Sequence, residues 1–76
     1  MNEKEIINLF AENLRVERAR KAYTQEFLAE KANISPEYLS RLEKGKYNPT
    51  ICVVVNLAIA LNIGIDKLLP VEKINS

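Results

Sequence analysis

The sequence predicts a small all-α domain of five helices. Three observations carry this. Apolar residues recur at spacings of three, four and seven. Ser, Thr, Pro and Gly punctuate the chain where helices would start and stop. No stretch carries a strand signal. Val53, Val54 and Val55 are β-branched, but the LAIAL run that follows them, and the spacing of Ile51, Val54, Leu57, Ala58 and Leu61, favour a helix there. With 76 residues the chain makes one domain, 1–76.

Residues 3–20 read as the first helix. Ile6, Ile7, Phe10 and Leu14 fall largely on one side, with Val16 extending the stripe. Glu3 and Glu5 near its start, and Arg15, Arg18, Arg20 and Lys21 near its end, suit the helix dipole. Thr24 is an N-cap for a second helix over 25–32, whose apolar stripe is Phe27, Leu28 and Ala32. Asn33 and Ile34 break the pattern. Ser35 caps a third helix over 36–44, with Pro36 at the first position, where its missing N–H costs nothing. Leu39 and Leu42 form its inner stripe, and Gly45 is a left-handed stop. GKYNP is a turn by composition. Thr50 caps the fourth helix, 51–61, which Asn62, Ile63 and Gly64 end. Residues 66–69 have room for a short fifth helix before Pro70, and 71–76 read as a frayed, flexible tail. Helix, tight turn, helix over 25–44 is the pattern of a helix-turn-helix.

Composition narrows the function. There is no His and one Cys, so a zinc site and an intrachain disulfide are both excluded, and the common pairings of nucleophile and base are missing. No Gly-rich phosphate loop is present. An enzyme, a cofactor and a metal are therefore not expected. The N-terminal MNEKEIIN carries charge where a secretion signal needs an apolar run, and 51–55 is far too short to span a membrane. The expected setting is a reducing cytoplasm. A net charge of +1 is uninformative alone. A phosphate-binding surface would have to arise from segregated charge, not from excess.

The run TQEFLAEKANISPEYLSRLEKGKYNPT, followed by LAIALNIGIDKLL, resembles the Cro/CI-type helix-turn-helix domain of the XRE family of bacterial and phage regulators. The similarity covers 10–69. It rests on Arg15 and Arg18, on Gln25, on Leu28 and Ala29, on the Leu42-Glu43-Lys44-Gly45-Lys46 run, and on Pro49, Leu57, Ala58 and Leu61. It implies a compact five-helix repressor-like domain that binds double-stranded DNA. Asn33 stands where the family often has Gly, a mild departure because Asn tolerates the left-handed conformation. The resemblance implies that Arg18 and Glu43 form a structural ion pair; two unpaired surface charges are the alternative. That pair would leave Arg41, Lys44 and Lys46 with no opposing charge nearby in sequence.

Glu37, Tyr38 and Arg41 are the candidates for base readout. They take outward positions on the third helix, whose start enters the major groove in this class. Arg41 suits guanine O6 and N7, Tyr38 a thymine methyl, and Glu37 a cytosine amino group. Gln25 resembles a family contact to the DNA backbone, and a helix start favours phosphate there. Thr24, Ser35, Ser40, Lys44, Lys46, Tyr47 and Asn48 complete the backbone set, the last three in the loop that approaches phosphate in the family. Ser35 is equally explained by its capping role, and Asn48 by its turn.

The fourth helix has more apolar residues than one buried face needs. Cys52, Val53, Val55 and Ile59 are left over, and such a surplus marks an interaction surface. A second copy related by a two-fold axis is the expected partner. The expected function is a homodimeric transcriptional regulator on a palindromic or near-palindromic operator, acting by occupancy or by contact with RNA polymerase. With no sensor module and no small-molecule ligand expected, its own concentration would regulate it. Such regulation resembles small phage repressors and restriction-modification controllers, and the length, compact C-terminus and GKYNPT loop suit the controller type. The alternatives are an antitoxin that masks a toxin while binding its own operator, and a helix-turn-helix that binds only protein.

Overall fold

The computed structural model describes residues 1–75; Ser76, the end of the expected tail, lies outside the described residues. The order is α1 (Glu3–Arg20), α2 (Gln25–Lys31), α3 (Pro36–Glu43), α4 (Ile51–Leu61), a 3₁₀ turn (Ile65–Lys67) and α5 (Val71–Ile74). No strand occurs among the described residues.

One pair of devices bounds each of the four longer helices. At the start, a side-chain oxygen of Asn2, Thr24, Ser35 or Thr50 accepts from the backbone N–H three residues on. Asn2 makes a full capping box with Glu5. At the end, a residue in the left-handed conformation turns the chain, and the next N–H reaches back five residues. These residues are Ala22, Asn33, Gly45 and Asn62, and the bonds run from Tyr23 to Arg18, Ile34 to Ala29, Lys46 to Arg41 and Ile63 to Ala58. Ala22 was not foreseen. An alanine at φ 58° bears a Cβ clash that Gly would not, and the turn is held against that preference by the Tyr23 N–H on the Arg18 carbonyl.

The core gathers Phe10 and Leu14 from α1, Leu28 and Ala29 from α2, Leu39 and Leu42 from α3, Leu57 and Leu61 from α4, and Leu68. Helix α3 packs against both α1 and α2, and α2 also packs against α4. Each fully buried leucine contributes roughly 1.5–3 kcal/mol relative to exposure, so Leu39 and Leu42 are what seat α3. Ala29 is fully buried, and its small side chain suits a close helix approach. The Asn13 side-chain amide donates to the Leu68 carbonyl at 3.0 Å and ties the C-terminal segment to α1.

Several expectations need correction. Val16 and Phe27 are exposed. At 100° per residue, Glu17 lies closer to the Phe10–Leu14 side of α1 than Val16 does, and Glu17 is buried in its stead. Phe27, 48% exposed, packs edge-on against Tyr23 at 4.7 Å, with the Lys31 ammonium 5.5 Å from its ring centre. Ile51, expected on the buried face, is 76% exposed, whereas Val53, expected in the surplus, packs half-buried against the core. The buried arc of α4 is turned toward Val53 and Ala60, and burial along the helix begins only at Val53. A wheel gives a residue's direction, not whether a neighbour stands there. The short helix expected over 66–69 is a 3₁₀ turn over Ile65–Lys67, and Val71–Ile74, expected to fray, close a helical turn on the Pro70 carbonyl.

Candidate nucleic-acid interface

The outward side of α3 follows from the burial of its inward side. Leu39, Leu42 and Glu43 are buried, and a period of 3.6 residues then turns Glu37, Ser40, Arg41 and Lys44 the other way. Two adjoining shallow depressions lie on that side. One is lined by Arg41, Lys44, Lys46 and Tyr47, the other by Gln25, Pro36, Glu37, Ser40, Arg41 and Lys44. Arg41 and Lys44 are common to both. Glu37 is the one carboxylate in either lining, and it sits in the first turn of α3, where the helix dipole favours negative charge.

Glu43 belongs to the same helix end but takes no part in this surface. Its carboxylate is 3% exposed and accepts from Arg18 Nε at 2.7 Å and Arg18 Nη2 at 2.9 Å, a bidentate pair, and from Gln25 Nε2 at 3.0 Å. Arg18 Nη1 also donates to the Tyr23 carbonyl at 2.9 Å. The hydrogen bond to Glu43 raises the Arg18 guanidinium above its ordinary range, against the opposing effect of burial. Arg15 Nη1 donates to the Glu43 backbone carbonyl, one of the acceptors that a helix end leaves without an intrahelical donor. Arginines from α1 thus hold both the side chain and the main chain at the C-terminal end of α3.

The other candidates are placed as follows. The Thr24 and Ser35 hydroxyl oxygens accept from Phe27 N at 3.0 Å and Tyr38 N at 3.1 Å. As caps, both keep a hydroxyl proton for an outside acceptor. Gln25 is half-buried because its amide is committed to Glu43, yet it still lines the second depression. Tyr38 departs from the outward set: it is half-buried and packs on the core. Asn48 is not brought to the basic depressions. It lines a separate apolar one with Ile6, Ile7, Phe10, Pro49, Val54 and Leu69.

Two contacts had no signal in the sequence. Arg41 Nη1 donates to Tyr47 Oη at 2.8 Å, and the Tyr38 and Tyr47 rings lie 5.8 Å apart. Both depend on the path of the loop after Gly45, which composition marks only as a turn. Arg15 was visible as a motif residue, but without a role.

On α4, Ile51, Cys52, Val55 and Ile59 are exposed along one arc, so the surplus patch keeps three of its expected members and exchanges Val53 for Ile51. Among the described residues, no group of His, Cys, Asp or Glu is placed to hold a metal, and no helix is long and apolar enough to cross a membrane.

Comparison with known proteins agrees with this geometry. A helix-turn-helix family model, HTH_3, matches residues 14–68. The chain is 35% identical over 65 residues to the uncharacterized HTH-type transcriptional regulator YazB of Bacillus subtilis, covering 86% of this chain and 94% of that protein. It is 38% identical over 65 residues to the control protein C.SmaI of Serratia marcescens, covering 86% and 77%. Among solved structures it is similar to the restriction-modification controller protein C.AhdI of Aeromonas hydrophila, with a TM-score of 0.80 at 30% identity over 83% of this chain and 96% of that one. With four capped helices, the α2–α3 pair at their centre and a family match from the last turns of α1 through α4, the chain belongs to the helix-turn-helix family of DNA-binding transcriptional regulators, in its Cro/CI-type form.

Proposed function

We propose that this regulator binds duplex DNA sequence-specifically, as a homodimer on a palindromic or near-palindromic operator. The observation that carries the reading is the outward side of α3. Arg41, Lys44 and Lys46 converge there with Tyr47, while Glu43 of the same helix end is buried against Arg18. Segregation of this kind lets a chain of net charge +1 present a local cationic surface. Arg41 and Glu37 are the base-reading residues. Thr24, Gln25, Ser35, Ser40, Lys44 and Lys46 face the phosphates.

The homodimer rests on two supports. The first is the exposed apolar arc of α4, in which Ile51 is 76% and Ile59 is 71% exposed. The second is the reach of one recognition helix. Eight residues span only a few base pairs, whereas two copies about a dyad read half-sites roughly 34 Å apart, one turn of DNA. Of the subtypes, a restriction-modification controller has the support of its likeness to C.SmaI and C.AhdI. Occupancy of the operator, in the cytoplasm, would act by excluding RNA polymerase or by touching it.

Two measurements test this. In duplex titrations over a salt series, log K should fall linearly with log salt, by about 0.9 for each phosphate neutralised; a flat profile would leave only a protein-binding reading. By sedimentation, the wild type should be a dimer at micromolar concentration and Ile59→Glu a folded monomer. A wild type that stays monomeric there sinks the dimer.

A further inference from the structure

We infer that Tyr47 is a positioning residue for Arg41, and so a determinant of which base the recognition helix selects. This rests on the reading of α3 as the base-reading helix and deepens it, because Tyr47 was expected only to touch phosphate.

The geometry is a chain of three side chains running outward from the core. Tyr38 packs half-buried against the core. The Tyr47 ring lies 5.8 Å from the Tyr38 ring, tilted by 30°. The Arg41 guanidinium lies 5.8 Å from the centre of the Tyr47 ring and donates from Nη1 to the Tyr47 hydroxyl at 2.8 Å. Order therefore passes from a fixed aromatic to a loop aromatic to a long, exposed cation.

Such an arrangement has a physical use. A free arginine side chain samples many rotamers, and that freedom is lost when it docks on a base edge. The hydrogen bond to the Tyr47 hydroxyl removes part of that freedom before DNA arrives. The Nη1 bond occupies one of five N–H donors, leaving enough of the fork for a bidentate contact with guanine. The hydroxyl oxygen accepts from Arg41, so its own proton remains available to a neighbouring acceptor. Tyr47 also lies in the loop that Gly45 launches, at φ 72°, which couples the loop path to the direction of Arg41.

The test is selection of sites from randomised duplex DNA by the wild type, Tyr47→Phe, Arg41→Ala and the double variant, with affinities then measured on the chosen site and its single-base changes. Tyr47 is exposed, so none of these variants threatens the fold; thermal melts check this. Tyr47→Phe keeps the ring and removes the acceptor. It should lower discrimination at one base position by roughly three- to tenfold, the scale of one solvent-exposed hydrogen bond. The salt slope should stay unchanged, and the effect should vanish in the Arg41→Ala background. An unaltered base preference overturns the inference. So does uniform weakening on every sequence with a smaller salt slope, or a Tyr47→Phe effect that persists without Arg41. If the wild type selects no motif at all, the DNA reading itself falls, a result distinct from selection that Tyr47→Phe leaves intact.

Discussion

Arg41 and Glu43 stand two residues apart at the same end of α3, yet the fold treats them oppositely. Glu43 is buried, held by two hydrogen bonds from Arg18 and one from Gln25. Arg41 is exposed, with one hydrogen bond to a loop tyrosine. The difference is about 200° of helical rotation. It separates a charge that fixes the helix from a charge that the helix presents. The comparison also shows why the first serves the second. Had Glu43 faced outward, its carboxylate would offset a cation in the surface proposed to meet the phosphates.

The largest effect is expected at Arg18. Arg18→Ala leaves the Glu43 carboxylate buried with only Gln25 as a side-chain donor, and removing one partner of such a pair costs about 3 kcal/mol or more. Urea denaturation should show this as a lower midpoint. The Arg18 guanidinium is shifted upward, so the bridge's cation stays charged below strongly alkaline pH, and the stability linked to that shift is lost as pH rises through the raised value. The next largest effect lies on the presented side. Arg41→Ala should cost about 1–3 kcal/mol of binding on the cognate site and relax preference at one base position, with an unchanged melting temperature. Equal weakening on all sequences would make Arg41 a phosphate contact.

Ala22→Gly sharpens the comparison from the fixing side. It relieves a left-handed alanine at the end of α1 and should stabilise the domain by up to about 1 kcal/mol. A loss of stability would mean that the greater freedom of glycine in the unfolded chain outweighs the relief of strain. The smallest effect is expected for Lys46→Ala, which should reduce the salt slope by about one unit with base preference intact. An unchanged slope would place Lys46 outside the interface.

Much of this was legible. Thr24, Ser35 and Thr50 are capping residues that act over three residues of chain, and Asn33 and Gly45 are the residue types that tolerate left-handed turns, so the limits of α2 and α3 and the start of α4 could be read locally. The outward position of Arg41 followed from Leu39 and Leu42. Other features were not legible, because they depend on what stands opposite. Ile51 and Val53 are both apolar on the same helix, and only the position of the neighbouring elements decides that one is bare and the other packed. Glu17 is buried despite its charge. Ala22 turns left-handed despite its Cβ. Asn48, an ordinary turn residue, faces the apolar depression beside α1 and α4. The pairing of Arg18 with Glu43 was implied by resemblance alone, since 25 residues of chain separate the two.

The sequence by itself determined where the helices begin and end and which side of α3 carries charge, because caps, left-handed stops and the 3.6-residue period act over a few residues. Only the tertiary structure decided which charges are spent inside and which remain for a partner. Burial, ion pairing and the Tyr38–Tyr47–Arg41 chain join residues through space, and their energies exist only once α1, α3 and the loop after Gly45 are brought together.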